Sequence, residues 1–126
     1  SCLEFFLSAA ECDARYLNIE LNPNLCLYFG FGTGRVDRMR LLLPGGGKTL
    51  NACCERTATG WDVAYELPFK LLQLFPDFSP SGKIRGNFYK CGDLTAQEHY
   101  LAWNRVDAGH PDFHLPAYFG ELCFSD

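Results

Sequence analysis

Apolar and polar residues alternate with a period of two over several short stretches, the mark of strands buried on one face. The clearest stretch is 16–21: Leu17, Ile19 and Leu21 fall on one side, predicting an inward face, and Asn18 and Glu20 on the other, predicting an outward one. The opening run CLEFFLS reads as a strand already in progress. Residues 26–31, 39–43, 52–57, 61–67, 84–90, 100–103 and 120–124 are further strand candidates, and Trp61, Val63, Tyr65 and Leu67 share one face of theirs. Turn residues separate them: Asn22-Pro23-Asn24, the glycines at 30, 32 and 34, Pro44 with the glycines after it, and Thr59-Gly60. One segment departs from this pattern. Pro68 suits the first position of a helix, and FKLLQLF follows it as a short helical turn that Pro76 ends. Residues 104–118, with Pro111 and Pro116, read as irregular. Short strands, turns between them and one short helix predict an all-β fold, a β-sandwich or barrel, and of the two an antiparallel, jelly-roll-like sandwich is expected. With no repeat, low-complexity tract or composition break, residues 1–126 are expected to form a single domain.

Composition supports one ordinary folded domain: of 126 residues, 48% are apolar and 21% charged. The chain is rich in rings, with 11 Phe, 6 Tyr and 2 Trp. Most belong in a core, although rings also line sugar sites. A net charge of −4 argues against a nucleic-acid partner, whose phosphates demand a basic footprint. The longest apolar stretches, 26–29 and 41–43, are far too short to span a bilayer, so no membrane partner is expected. The 7 cysteines are odd in number and lack CxxC spacing. Cys2, Cys26, Cys91 and Cys123 sit in apolar strand-like runs, which predicts buried, reduced thiols. That usage, with no visible leader, favours a cytoplasmic location. A disulfide between two of the cysteines stays open, as does oligomeric state.

Familiar catalytic patterns fail on spacing. In the run from Pro44 to Thr49 the glycine that a phosphate loop needs, five residues before that of Gly47-Lys48, is Leu42. Gly30-Phe31-Gly32-Thr33-Gly34 resembles a dinucleotide fingerprint only loosely, and its glycines are better read as backbone freedom at a strand end. His110 and His114 have helical ligand spacing, but Pro111 between them removes the helix. No nucleophile elbow occurs. No cofactor is expected; structural calcium, which has no fixed spacing outside EF-hands, stays open.

The later part of the chain carries a resemblance. Gly86-Asn87-Phe88-Tyr89, Tyr100-Leu101-Ala102-Trp103, Pro111-Asp112-Phe113-His114-Leu115-Pro116 and Phe119-Gly120-Glu121-Leu122 occur in an order similar to the C-terminal signature of family 9 carbohydrate-binding modules. Upstream, Ser1 to Phe6, Tyr16 to Glu20 and Leu67-Pro68-Phe69 resemble the family's earlier elements. The resemblance spans this chain but only the later two-thirds or so of the family domain, which implies that the first strands are missing. It implies a non-catalytic β-sandwich that binds a saccharide, with a chain end as the recognised feature. At most it would be an accessory domain of a glycan-degrading enzyme. In the family two tryptophans clamp the terminal sugar. One would precede Ser1; the other falls at Phe113. Glu4 takes the place of a hydroxyl-reading glutamate and Asn18 that of an arginine. His110 and Asp112 lie in the loop beside the clamp ring, and Trp103 in the preceding strand. The candidate carbohydrate-binding residues are therefore Phe113, Trp103, Glu4, Asn18, His110 and Asp112. The alternative is a structural or interaction sandwich that has lost sugar binding.

Overall fold

A computed structural model describes residues 1–10, 13–80 and 82–124. The strands are β1 (Cys2–Ser8), β2 (Tyr16–Leu21), β3 (Leu27–Gly32), β4 (Arg38–Arg40), β5 (Cys53–Arg56), β6 (Trp61–Ala64), β7 (Lys83–Gly92), β8 (His99–Ala102) and β9 (Gly120–Cys123). Among the described residues there is one α-helix, α1 (Phe69–Leu72), one turn long. Seven strands form one sheet in the order β4-β3-β2-β1-β7-β8, with β9 also paired to β7, and β5-β6 form a second sheet. Every pairing is antiparallel. The long strand β7 takes β1 on one side; on the other it pairs first with β9 and then with β8. The fold is the expected all-β antiparallel sandwich with one short helix.

Side-chain alternation sorts the large sheet into two faces. One carries Leu7, Leu17, Ile19, Phe29, Phe31 and Ile84, buried under Leu50, Leu72 and Phe75. Those covering residues come from 41–80, which holds the β5-β6 sheet and α1 and makes the second layer. The other face carries Phe6, Tyr16 and Tyr89, which pack with Phe119 under the irregular segment that contributes Val106 and Phe113. Because both faces are covered, Asn18 is fully buried and Glu20 half-buried, and neither points out to solvent as the alternation predicted.

Three further expectations shift. β4 ends at Arg40, with one last bond from the Leu41 amide to the Phe29 carbonyl at 2.7 Å, and Leu41 and Leu43 pack their side chains against the main core. The turn after Pro68 is α-helical only over Phe69–Leu72, then tightens: the Phe75 amide reaches back three residues to the Leu72 carbonyl at 3.0 Å. The described cysteines are unpaired, but Cys26, Cys53 and Cys123 are exposed and Cys2, Cys54 and Cys91 intermediate; Cys53, Cys54 and Cys123 lie on the edge strands β5 and β9. Cys12 lies outside the described residues.

Candidate functional site

Three strands place carboxylates and a thiol pair on the face opposite the main core. Glu4 on β1 lies directly between Glu20 on β2 and Tyr89 on β7. Two residues earlier on the same face, Cys2 pairs with Cys91. Glu4 and Glu20 line a pocket of about 270 Å³ with Arg35, Cys91, Asp93, Tyr100, Pro111, Phe113 and His114. The sheet forms the floor; the segment after β8 and the loop after β3 form the walls.

The floor is electrostatically strained. Glu4 is 8% exposed, and among the described residues its carboxylate accepts one hydrogen bond, from the Cys2 thiol at 3.3 Å. Burial, and then the negative charge of Glu20, push its carboxyl up to about 7, against the smaller opposing pulls of Cys2 and Arg35. Burial also raises the Glu20 carboxyl, offset in part by the Asn18 amide, which donates to Glu20 Oε1 at 2.7 Å. The Asn18 Oδ1 faces inward with no partner.

Gly30 explains how Asn18 fits. A Cβ there would lie 2.3 Å from Asn18 Oδ1 and 2.9 Å from Arg38 Nε. At Gly32 it would lie 2.3 Å from the Asp37 carbonyl oxygen. Neither glycine has a positive φ, so they serve close approach rather than backbone freedom, correcting the expectation from sequence.

The walls are held by a second polar network. Arg38 donates to the Gly34 carbonyl at 2.7 Å and the Tyr16 carbonyl at 3.2 Å, and its guanidinium sits 4.5 Å from the Tyr16 ring centroid. Tyr16 Oη and His114 Nδ1 are 2.8 Å apart. Burial keeps the phenol protonated, and burial with Arg35 and Arg38 nearby depresses His114 to about 4. The ring is therefore neutral, with Nδ1 accepting the hydrogen bond that the Tyr16 hydroxyl donates. Asp112 Oδ1 accepts the His114 amide at 2.9 Å and Arg35 at 2.8 Å. Burial alone would raise the Asp112 carboxyl; these two donors hold it below its ordinary value.

Of the six residues singled out from sequence, Glu4 and Phe113 meet in this pocket. Phe113 stacks on Tyr89 with centroids 4.2 Å apart and ring planes 11° from parallel. Asn18 and Asp112 brace it from behind through Glu20 and Arg35. Trp103 and His110 lie elsewhere, in an adjoining groove of about 420 Å³ that Phe113 and Asp112 also border. Trp103 follows the register of Phe88, to whose carbonyl its amide donates at 2.8 Å, and its ring meets that of Phe88 edge-on. Phe88 neighbours Tyr89 on β7, so Trp103 sits on the side of the sheet away from Glu4. Sequence reasoning missed Glu20, Arg35, Cys91, Asp93, Tyr100 and His114. Glu20 was legible as the residue sharing a strand face with Asn18; the others needed the strand register.

Comparison with known proteins bears on what such a pocket is for. The fold is similar to the crystal structure of a candidate carbohydrate-binding protein from Bacteroides uniformis ATCC 8492, with a TM-score of 0.73 and 27% identity, covering 99% of this chain and 61% of that one. The chain thus spans about three-fifths of that protein's length. No curated protein matches it. The sequence profile of carbohydrate-binding family 9 matches residues 1–124, nearly the whole chain, and the chain belongs to that family.

Proposed function

We propose that the Glu4 pocket binds one sugar residue, at the end of a saccharide chain, without cleaving it. The observation that carries this reading is the convergence of Glu4, Glu20 and Arg35 beside the Phe113 ring. Carboxylates accept hydroxyl hydrogens, a guanidinium donates to hydroxyl oxygens, and a ring packs against the C–H face of a pyranose. A pocket of about 270 Å³ falls just below the usual small-ligand range of roughly 300–1,000 Å³, which suits a single sugar unit better than a run of them. The two carboxylates disfavour uronic acids and favour neutral or amino sugars, since Arg35 is already paired with Asp112.

The same geometry argues for binding over hydrolysis. Glycosidases place two carboxyl groups on either side of the scissile bond. Glu4 and Glu20 are direct cross-strand partners projecting from one face of one sheet, so they meet a ligand from the same side. The domain then serves as an accessory that holds a glycan near other machinery.

A glycan array followed by calorimetric titration tests this. Expected is retention of neutral oligosaccharides, lost when the recognised end is reduced or blocked and lost in Glu4→Gln and Phe113→Ala. A folded protein that retains no saccharide overturns the reading and favours a sandwich serving protein interaction alone.

A further inference from the structure

We propose that Cys2, Cys91 and Glu4 form a site for a thiophilic divalent cation, zinc by its chemistry, on the floor of the same pocket. The two sulfurs and a Glu4 carboxylate oxygen lie within 4.8 Å of one another. Around a tetrahedral zinc with Zn–S bonds of about 2.3 Å, two sulfurs sit roughly 3.8 Å apart, so small side-chain rotations close the cage.

The backbone sets this arrangement. Cys2 and Cys91 are direct partners across the β1-β7 ladder, and Glu4 follows Cys2 by two residues, hence on the same face. All three ligands thus stand on two paired strands rather than on loops. The surroundings favour a cation. Glu4, Glu20 and Asp93 line the pocket, and Arg35, the permanent cation facing them, is paired with Asp112. Glu4 is nearly buried, yet its one described donor is a thiol, a weak hydrogen bonder.

Ligand type selects the ion. Two thiolates and one carboxylate suit zinc and exclude the all-oxygen shell that calcium or magnesium requires. Binding displaces the two thiol protons to solvent and changes no oxidation state. Three protein ligands leave a fourth position open toward the pocket. The site does not depend on the saccharide reading and is measured without sugar.

The test uses reduced, metal-free protein titrated with zinc against a chromophoric chelator, and with cobalt(II) as a spectroscopic stand-in. Expected is one ion per chain, with a thiolate-to-cobalt charge-transfer band. Cys2→Ser and Cys91→Ser each weaken binding by more than about tenfold and roughly halve the band, the double variant removes it, and Cys26→Ser and Cys123→Ser change neither. Absence of the band in the unmodified protein, or a band of unchanged intensity in the double variant Cys2→Ser/Cys91→Ser, overturns the proposal. So does formation of a Cys2–Cys91 disulfide at an unchanged rate when zinc is present, because a ligated thiolate pair resists oxidation. The spectrum of the unmodified protein is decisive even where a variant folds poorly.

Discussion

Replacing His114 with Asn isolates the largest pH-dependent contribution of the pocket wall. The imidazole is buried against Phe6 and Tyr16, with ring centroids at 4.9 and 6.0 Å, and accepts the Tyr16 hydroxyl. Burial, Arg35 and Arg38 hold it neutral, against the opposing pull of Asp112, down to about 4 from an ordinary 6.5. A depressed histidine contributes stability that is present in full above pH 6.5 and lost as pH falls toward 4, because the unfolded chain binds the proton first. At about 1.4 kcal/mol per pH unit the whole contribution is about 3.5 kcal/mol, and about 2 kcal/mol of it disappears between pH 7 and 4.5. Glu4 and Glu20 act in the opposite sense, since their raised carboxyls favour the folded state as pH falls. The difference between unmodified protein and His114→Asn removes that background. Asn Oδ1 can still accept the Tyr16 hydroxyl but does not titrate. Urea unfolding at pH 7 and 4.5 should show the unmodified protein losing about 2 kcal/mol more than the variant. Parallel losses in the two proteins would mean that His114 does not carry this pH dependence.

Three other substitutions separate core from site. Phe6→Ala removes a fully buried ring that contacts Tyr16, Tyr89 and His114, and should cost about 3–5 kcal/mol in urea unfolding. Gly30→Ala forces a methyl group against Asn18 Oδ1 and should cost about 1–3 kcal/mol by the same assay while weakening saccharide binding through Glu20. Phe113→Ala should abolish saccharide binding in calorimetry and, by losing its stack on Tyr89, lower stability by about 1 kcal/mol, less than Phe6→Ala.

The strands were legible because their burial is periodic. Tyr16–Leu21 emerged with its predicted boundaries, and the inward set Leu17, Ile19 and Leu21 lies in the main core. The alternation of 61–67 also holds in burial, although only Trp61–Ala64 pairs. What periodicity could not show was that the polar side of β2 is covered as well. Asn18 and Glu20 look like solvent-facing residues until the segment carrying Phe113 and His114 folds over their face of the sheet, where His114 meets Tyr16, 98 positions away. The pairing of Cys2 with Cys91 was hidden for the same reason. Each sits in an unremarkable apolar run, and only the β1-β7 register sets them face to face. Trp103 shows the reverse: it precedes the pocket segment in sequence, and strand alternation turns it to the side of the sheet away from Glu4, into the groove that Phe113 and Asp112 also border. Family resemblance supplied Glu4 and Phe113, and the register supplied the residues around them.

Whether saccharide binds at the Glu4 pocket or elsewhere on the sandwich is read from backbone amide chemical shifts followed as a retained oligosaccharide is added. Shifts should concentrate at Glu4, Glu20, Arg35, Asp93, Phe113 and His114, the residues around one pocket. Shifts clustered instead at Phe88, Leu101 and Trp103, on the far side of the sheet, would place the sugar elsewhere.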